Sequence, residues 1–230
     1  MTGFRALKVS RTTTPQQVVD ELKDMILRGD LGPGERINES TIASEWGLSR
    51  NTVREALRLL ESGGLIRKHP KRGMAVWDPS DAEILDLYSA RFYLETLAAS
   101  TVTPATDLSA VHGAYEAFKR ALSTHDPYQI VVRDLDIHGA VVGLLGNQFL
   151  DATYANLSTQ LQYFLMVLSL EHLEYDDVSG IETEHRAIVD ALESRDAQRA
   201  ESTVGEITIR NRDFVRQAVQ RRRDAVHTTS

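Results

Sequence analysis

Apolar residues first recur at helical spacing after Pro15, where Val18, Val19, Leu22, Met25 and Ile26 share one face of a helix ending near Leu27. The stretch GDLGPGERI then breaks the pattern, with Gly32, Pro33 and Gly34 as turn residues. A short helix over 40–46 buries Ile42, Ala43 and Trp46, and Gly47 turns the chain into a third. That third helix, in GLSRNTVREALRLLESGG, places Val53, Ala56, Leu57 and Leu60 on one stripe and Arg50, Arg54 and Arg58 on another. Ser49 suits its N-cap, and Gly63-Gly64 its end. The period then shortens. Leu65-Ile66 and Met74 to Trp77 predict two strands, joined by the basic tip RKHPKRG with Pro70 and Gly73 as turn residues.

After Asp78-Pro79-Ser80 the pattern predicts only helices, over about 81–101, 105–124, 127–145, 147–174, 178–194 and 196–222. In the fourth of these, Leu150, Tyr154, Leu157, Leu161, Phe164, Leu165 and Leu168 run down one side. In the last, Ala200, Val204, Ile207, Asn211, Phe214 and Ala218 do the same. The expected division is a flexible arm 1–14, a head 15–77, a hinge 78–80, a helical body 81–222 and a fraying tail 223–230. The fold class is mainly α: an N-terminal winged helix-turn-helix with a small β-hairpin wing, then an all-helical antiparallel bundle.

Composition narrows the setting. The 230 residues contain no cysteine, which excludes disulfides and thiolate metal sites and suits a reducing cytoplasm. No run of eighteen apolar residues and no signal-peptide pattern occurs, so a soluble cytoplasmic protein with no membrane partner is expected. The net charge of −7 is unevenly spread: residues 1–77 hold 13 Lys+Arg against 9 Asp+Glu, and residues 78–230 hold 13 against 24. A basic head on an acidic body points to a head that meets a polyanion.

A recognition helix enters the major groove with its N-terminal residues near base edges, which nominates Arg50, Asn51, Thr52 and Arg54. Arg grips guanine and Asn grips adenine through paired hydrogen bonds. Arg36, Ser40, Ser49, Lys71 and Arg72 are better placed for phosphate, and Gly73 lets the wing backbone come close. Arg58, one turn deeper, is open to pairing with Glu55 or Glu61.

The head resembles the winged DNA-binding domain of the GntR family of bacterial transcription regulators. The resemblance is carried by LKDMILRGDLGPGERINES, LSRNTVREALRLLESGGLI and KRGMAV. Asn51 and Thr52 stand where that family often has Thr and Pro, at the turn that would choose the operator.

In the body, RDLDIHGAVVGLLGN sets Asp134 and His138 one helical turn apart, and His185 lies in TEHRAIVDALESRD. By itself an Asp/His pair at this spacing is a surface ion pair, a hydrogen bond or half of a metal site. Nitrogen and oxygen ligands suit Zn, Ni, Mn or Fe. His112 and His172 have no such pattern and read as surface or core histidines.

Residues 81–222 are similar to the FCD effector domain of the FadR subfamily, through ARFYLETLAA, DLDIHGAVVGLLGNQFL and EHRAIVDALESRDAQRAE. That resemblance implies a divalent metal held by Asp134, His138, His185 and a group on the last helix. By position this last group is Glu206, where the family has His. Glu206 is then either a carboxylate ligand favouring Mn or Fe, or a solvated residue or partner of Arg210. The resemblance also implies a small organic acid completing the metal shell. Arg91 is the candidate cation for a second carboxylate, with a salt bridge to Glu95 as its other reading.

The expected protein is a ligand-responsive transcription regulator, a repressor by family habit and not an enzyme. It would be a homodimer on a pseudo-palindromic double-stranded operator. The competing readings are a metal-dependent enzyme with a two-His-one-carboxylate site, and a FadR-like regulator that binds acyl-CoA without metal.

Overall fold

The structure, a computed structural model, describes residues 14–69, 73–168 and 178–228. Nearly all of the expected arm, the wing-tip residues Lys71 and Arg72, His172 and the end of the long helix predicted over 147–174 lie outside the described residues. The chain divides into two compact units, Met1–Asp78 and Pro79–Ser230.

In the first unit, α1 (Pro15–Leu27) starts from a capping box in which Thr14 accepts from the Gln17 amide and Gln17 reaches back to the Thr14 amide. Pro15 occupies the first turn, where its missing N–H costs nothing. Helix α2 (Glu39–Glu45) begins one residue before the predicted start, because Asn38 caps it by accepting from the amides of Ser40 and Thr41. Helix α3 (Arg50–Ser62) is capped by Ser49 as expected and buries Val53, Ala56, Leu57 and Leu60. Gly47 links the two helices at φ +64°, in the left-handed region that disfavours a side chain. Leu22, Ile26, Ile42, Val53, Leu60, Ile66 and Trp77 close the core of this unit.

Strands β1 (Ile66–His69) and β2 (Gly73–Val76) pair antiparallel, with Ile66 opposite Val76 and His69 opposite Gly73. The segment read as a turn-rich connection also joins them. Arg36 bridges Ala75, and the Ile37 amide donates to the Met74 carbonyl at 2.8 Å. This pairing is invisible to periodicity because it lasts only two or three residues.

The regular elements among the described residues of the second unit are all helices: α4 (Asp81–Ser100), α5 (Ser109–Leu122), α6 (Pro127–Gly143), α7 (Gln148–Tyr163), α8 (Val178–Glu193) and α9 (Ala197–Thr228). A π-helical segment, Phe164–Leu168, continues α7. Val111, Phe118, Ile137, Ile188, Leu192, Val204 and Ile207 form the centre of the bundle. Helix α4 packs chiefly along α9. The close approach is at Gly205, where a Cβ would sit 3.0 Å from the Phe92 ring.

The expected fraying tail is instead a continuation of α9 to Thr228. Arg223 holds this end: its guanidinium donates to the Asp81 carboxylate at 2.6 Å and to the Pro79 carbonyl. Tertiary partners at the first turn of α4 thus extend a helix that charge repulsion in the Arg221-Arg222-Arg223 run disfavours.

Candidate functional site

Helices α4, α6, α8 and α9 bring a set of polar side chains into the interior of the bundle. Arg91, Glu95 and His138 are fully buried, His185 nearly so, and the Asp134 side chain keeps 13% exposure. Helical spacing puts Asp134 and His138 on one face of α6, and α8 delivers His185 to it. The donor atoms of Asp134, His138 and His185 lie within 4.8 Å of one another.

The tautomers follow from hydrogen bonding. His185 Nδ1 lies 2.8 Å from the Ile181 carbonyl, which only accepts, so Nδ1 carries the hydrogen. His138 Nδ1 likewise donates to the Glu95 carboxylate at 2.9 Å. On both rings Nε2 is therefore the atom left to face a ligand. His138 Nε2 has no hydrogen-bond partner. His185 Nε2 lies 2.7 Å from Asp134 Oδ1, an ion pair when the ring is protonated. Two imidazoles oriented by outer acceptors, with a carboxylate beside them, make a donor set that fits a divalent cation. The Phe118 ring, 4.6 Å from that of His185, supplies an apolar wall.

Electrostatics separate the two histidines. Burial and the nearby Arg91 charge push His138 below the ordinary imidazole range, against the pull of Glu95. Burial also works against a charged His185, but the Asp134 carboxylate beside it prevails and raises it. Asp134 is held at about 2: burial pushes it up, and His185, His138 and Arg91 more than offset that.

The salt bridge between Arg91 and Glu95 is present. Arg91 Nε donates to Glu95 Oε1 at 2.8 Å, while Nη1 and Nη2, also buried, have no hydrogen-bond partner. The Tyr88 hydroxyl is buried and unpartnered too, with the guanidinium 5.8 Å from its ring. A buried guanidinium with two idle nitrogens leaves donors to which a carboxylate binds well.

Glu206 does not join this cluster. It is exposed on α9 and accepts from Ser202 Oγ at 3.3 Å, while Arg210 pairs with Glu184 at 3.3 Å. At 100° per residue the inward positions of that turn are Val204, Ile207 and Thr208, all buried. Sequence reasoning also passed over Glu95 as a site residue, along with Tyr154 and Thr208. Helix α4 is buried on several faces, so it has no apolar stripe from which an inward polar residue would stand out. His112 is on the surface, 3.0 Å from Glu193.

In the head, Arg50, Asn51 and Arg54 are exposed on α3, and Thr52 is half-buried. Ser49 and Thr52 share a 2.8 Å contact between their hydroxyls. Arg54 is engaged: Nη2 lies 2.8 Å and Nε 3.2 Å from the two carboxylate oxygens of Glu39 on α2. Arg36 and Ser40 are exposed, and Gly73 takes φ +74° at the start of β2. Lys71 and Arg72 lie outside the described residues.

Residues 14–76 match the model of bacterial regulatory proteins of the gntR family, and residues 86–209 match that of the FCD domain. The chain is 29% identical to the uncharacterised HTH-type transcriptional regulator YdhC of Bacillus subtilis, over 82% of this chain and 84% of that one. It is 26% identical to the gluconate operon transcriptional repressor of the same organism, over 84% and 81%. Among solved structures, a transcriptional regulator GntR from Rhodococcus sp. RHA1 superimposes with a TM-score of 0.76 at 25% identity, covering 87% of this chain and 96% of that one.

Proposed function

The chain belongs to the GntR family of bacterial regulatory proteins and carries an FCD domain, and from that premise we propose that it is a repressor released from its operator by a small organic acid. It is a DNA-binding transcription regulator and not an enzyme. In our reading Asp134, His138 and His185 hold a divalent metal, and the two idle nitrogens of Arg91 grip a carboxylate of the acid. The metal, when bound, would supply a Lewis-acidic centre for a second oxygen of that acid. The chain's own part is to orient both imidazoles and present Arg91 fixed in place.

The observation that carries this reading is the pairing of unsatisfied donors and acceptors in one buried place. Leaving a buried polar group without a partner costs about 1–3 kcal/mol, so a ligand that satisfies several at once binds with that advantage. Glu206 has no part in the proposed site. The relative that represses a gluconate operon is in keeping with an acid effector.

In the head, Arg50, Asn51, Thr52 and Arg54 would read bases, while Arg36, Ser40, Ser49, Lys71, Arg72 and Gly73 would meet the backbone. Two heads on a dimeric body would span a pseudo-palindrome. The effector alters DNA affinity only as far as it prefers one arrangement of head and body, and the junction 78–80 is where we place that change.

The test is metal analysis of purified full-length protein beside His185→Ala. Wild type should hold one divalent ion per chain, and the variant should hold none while keeping its helical spectrum. Equal, sub-stoichiometric metal in both would reduce the cluster to a structural ion-pair network.

A further inference from the structure

One carboxylate touches both halves of the proposed site. Glu95 is fully buried, with Oε1 accepting from Arg91 Nε at 2.8 Å and the Tyr154 hydroxyl at 2.6 Å. Its Oε2 accepts from His138 Nδ1 at 2.9 Å and the Thr208 hydroxyl at 3.3 Å. The Thr208 hydroxyl is nearer the Val204 carbonyl, at 2.9 Å, so the firm partners of the group are Arg91, Tyr154 and His138, from α4, α7 and α6. The side chain is therefore fixed, and what it holds on one oxygen is felt at the other.

We propose that Glu95 couples the metal position to the anion position, so that the metal and one carboxylate of the effector bind cooperatively. This rests on the metal-and-acid reading above. The fixed charges in the cluster are Arg91, Glu95 and Asp134, a balance of one negative charge when both histidines are neutral. A divalent cation turns that balance to one positive charge. Among side chains this deeply buried an uncompensated charge is costly, and a single carboxylate restores neutrality. The buried end of the effector is thus monoanionic, and a dicarboxylate would leave its second charge outside the bundle.

Glu95 acts in two opposite ways. Toward the metal it helps, because a carboxylate on Nδ1–H makes the imidazole a stronger donor at Nε2. Toward a free anion it hinders, because it occupies Nε of Arg91 and cancels its charge. Glu95→Gln keeps the shape and removes both effects. A residue that only propped the helices apart would weaken both ligands together.

The experiment is calorimetry on full-length protein stripped of metal, titrated with Zn²⁺ or Mn²⁺ alone, with acetate alone, and with acetate after the metal. Wild type should bind acetate about tenfold more tightly once the metal is in place, a coupling of ordinary allosteric size. Glu95→Gln should lose about 10–100-fold in metal affinity, the range for loss of a carboxylate behind a ligating histidine. The same variant should gain affinity for acetate in the absence of metal. Metal affinity equal to wild type, or acetate affinity falling with it, would overturn the proposal.

Should Glu95→Gln fail to give a cooperative melt, Arg91→Met probes the same coupling from the other end. It should tighten metal and abolish acetate binding, and weaker metal binding would count against coupling. Wild type that takes up no metal at all would overturn the underlying reading as well, an outcome distinct from an uncoupled pair of sites.

Discussion

Single residues at the two sites owe their roles to partners brought from other helices. Arg54, nominated from its place on α3, is gripped by Glu39 of α2, which holds its guanidinium in one orientation. Arg54→Ala should lower affinity for the operator by about 1–3 kcal/mol, the worth of one good base contact, and leave the helical spectrum unchanged. Fluorescence anisotropy on a duplex selected from a random pool by wild-type protein measures this, and undiminished preference for that duplex would count against α3 as the reading helix. If the proposed metal binds, it competes with a proton on His185, whose hold on that proton the Asp134 carboxylate strengthens against the effect of burial. Metal affinity should therefore rise with pH as the medium climbs through the raised value of His185, with proton release in the titration. Glu95 and Asp134 act at the acid end. Burial pushes both up, but for Glu95 the charges of Arg91 and His138, and for Asp134 those of His185, His138 and Arg91, hold each at about 2 against ordinary values of 4.5 and 3.8. A depressed folded value stabilises above the unfolded one, so this contribution is lost as pH falls from 4.5 toward 2. Thermal melts of the metal-free protein across that window should show the body failing there and not between pH 5 and 7.

At the level of elements, local signals and tertiary packing agree at some ends and conflict at others. Helices α1 and α3 begin where their caps say, because a cap is a contact within three or four residues. Helix α9 instead runs to Thr228, through the arginines where fraying is expected, since Arg223 finds Asp81 and Pro79. Gly205 in the middle of α9 is a sharper case. In an isolated helix Ala is better than Gly by about 1 kcal/mol, so the sequence alone favours Gly205→Ala as stabilising. The Cβ would meet Phe92 at 3.0 Å and Thr96 at 3.3 Å. Overpacking of this kind costs about 1–3 kcal/mol, and the net effect should be a lower melting temperature for the body. A higher one would mean that α4 moves away from α9 more easily than the packing implies.

Across the whole molecule the charge division sets how the protein meets its polyanion. The +4 balance of residues 1–77 against −11 for the rest confines attraction for phosphate to the head. Operator affinity should fall steeply with salt, with a logarithmic slope of about −0.9 per phosphate neutralised, and Arg50→Gln should relax base preference at constant slope, while a slope shallower by about one would move Arg50 from the bases to phosphate. The sequence by itself determined the helices, the winged head, the charge division and the Asp134, His138 and His185 positions. The elements and the Asp134/His138 spacing are written in short-range terms, a period of 3.6, a cap three residues away, a pair one turn apart, whereas His185 joined them through the resemblance of its segment to the FCD domain. Only the tertiary structure decided that Glu206 faces outward and that Glu95 lies behind His138. It likewise decided that Arg91 has two idle nitrogens, that Arg54 is held by Glu39, and that Arg36 extends the wing. The contacts involved join residues 15 to 113 positions apart. A one-residue error in helical phase is enough to turn a carboxylate from the core to the solvent, and no local signal fixes that phase where a helix is buried on several sides.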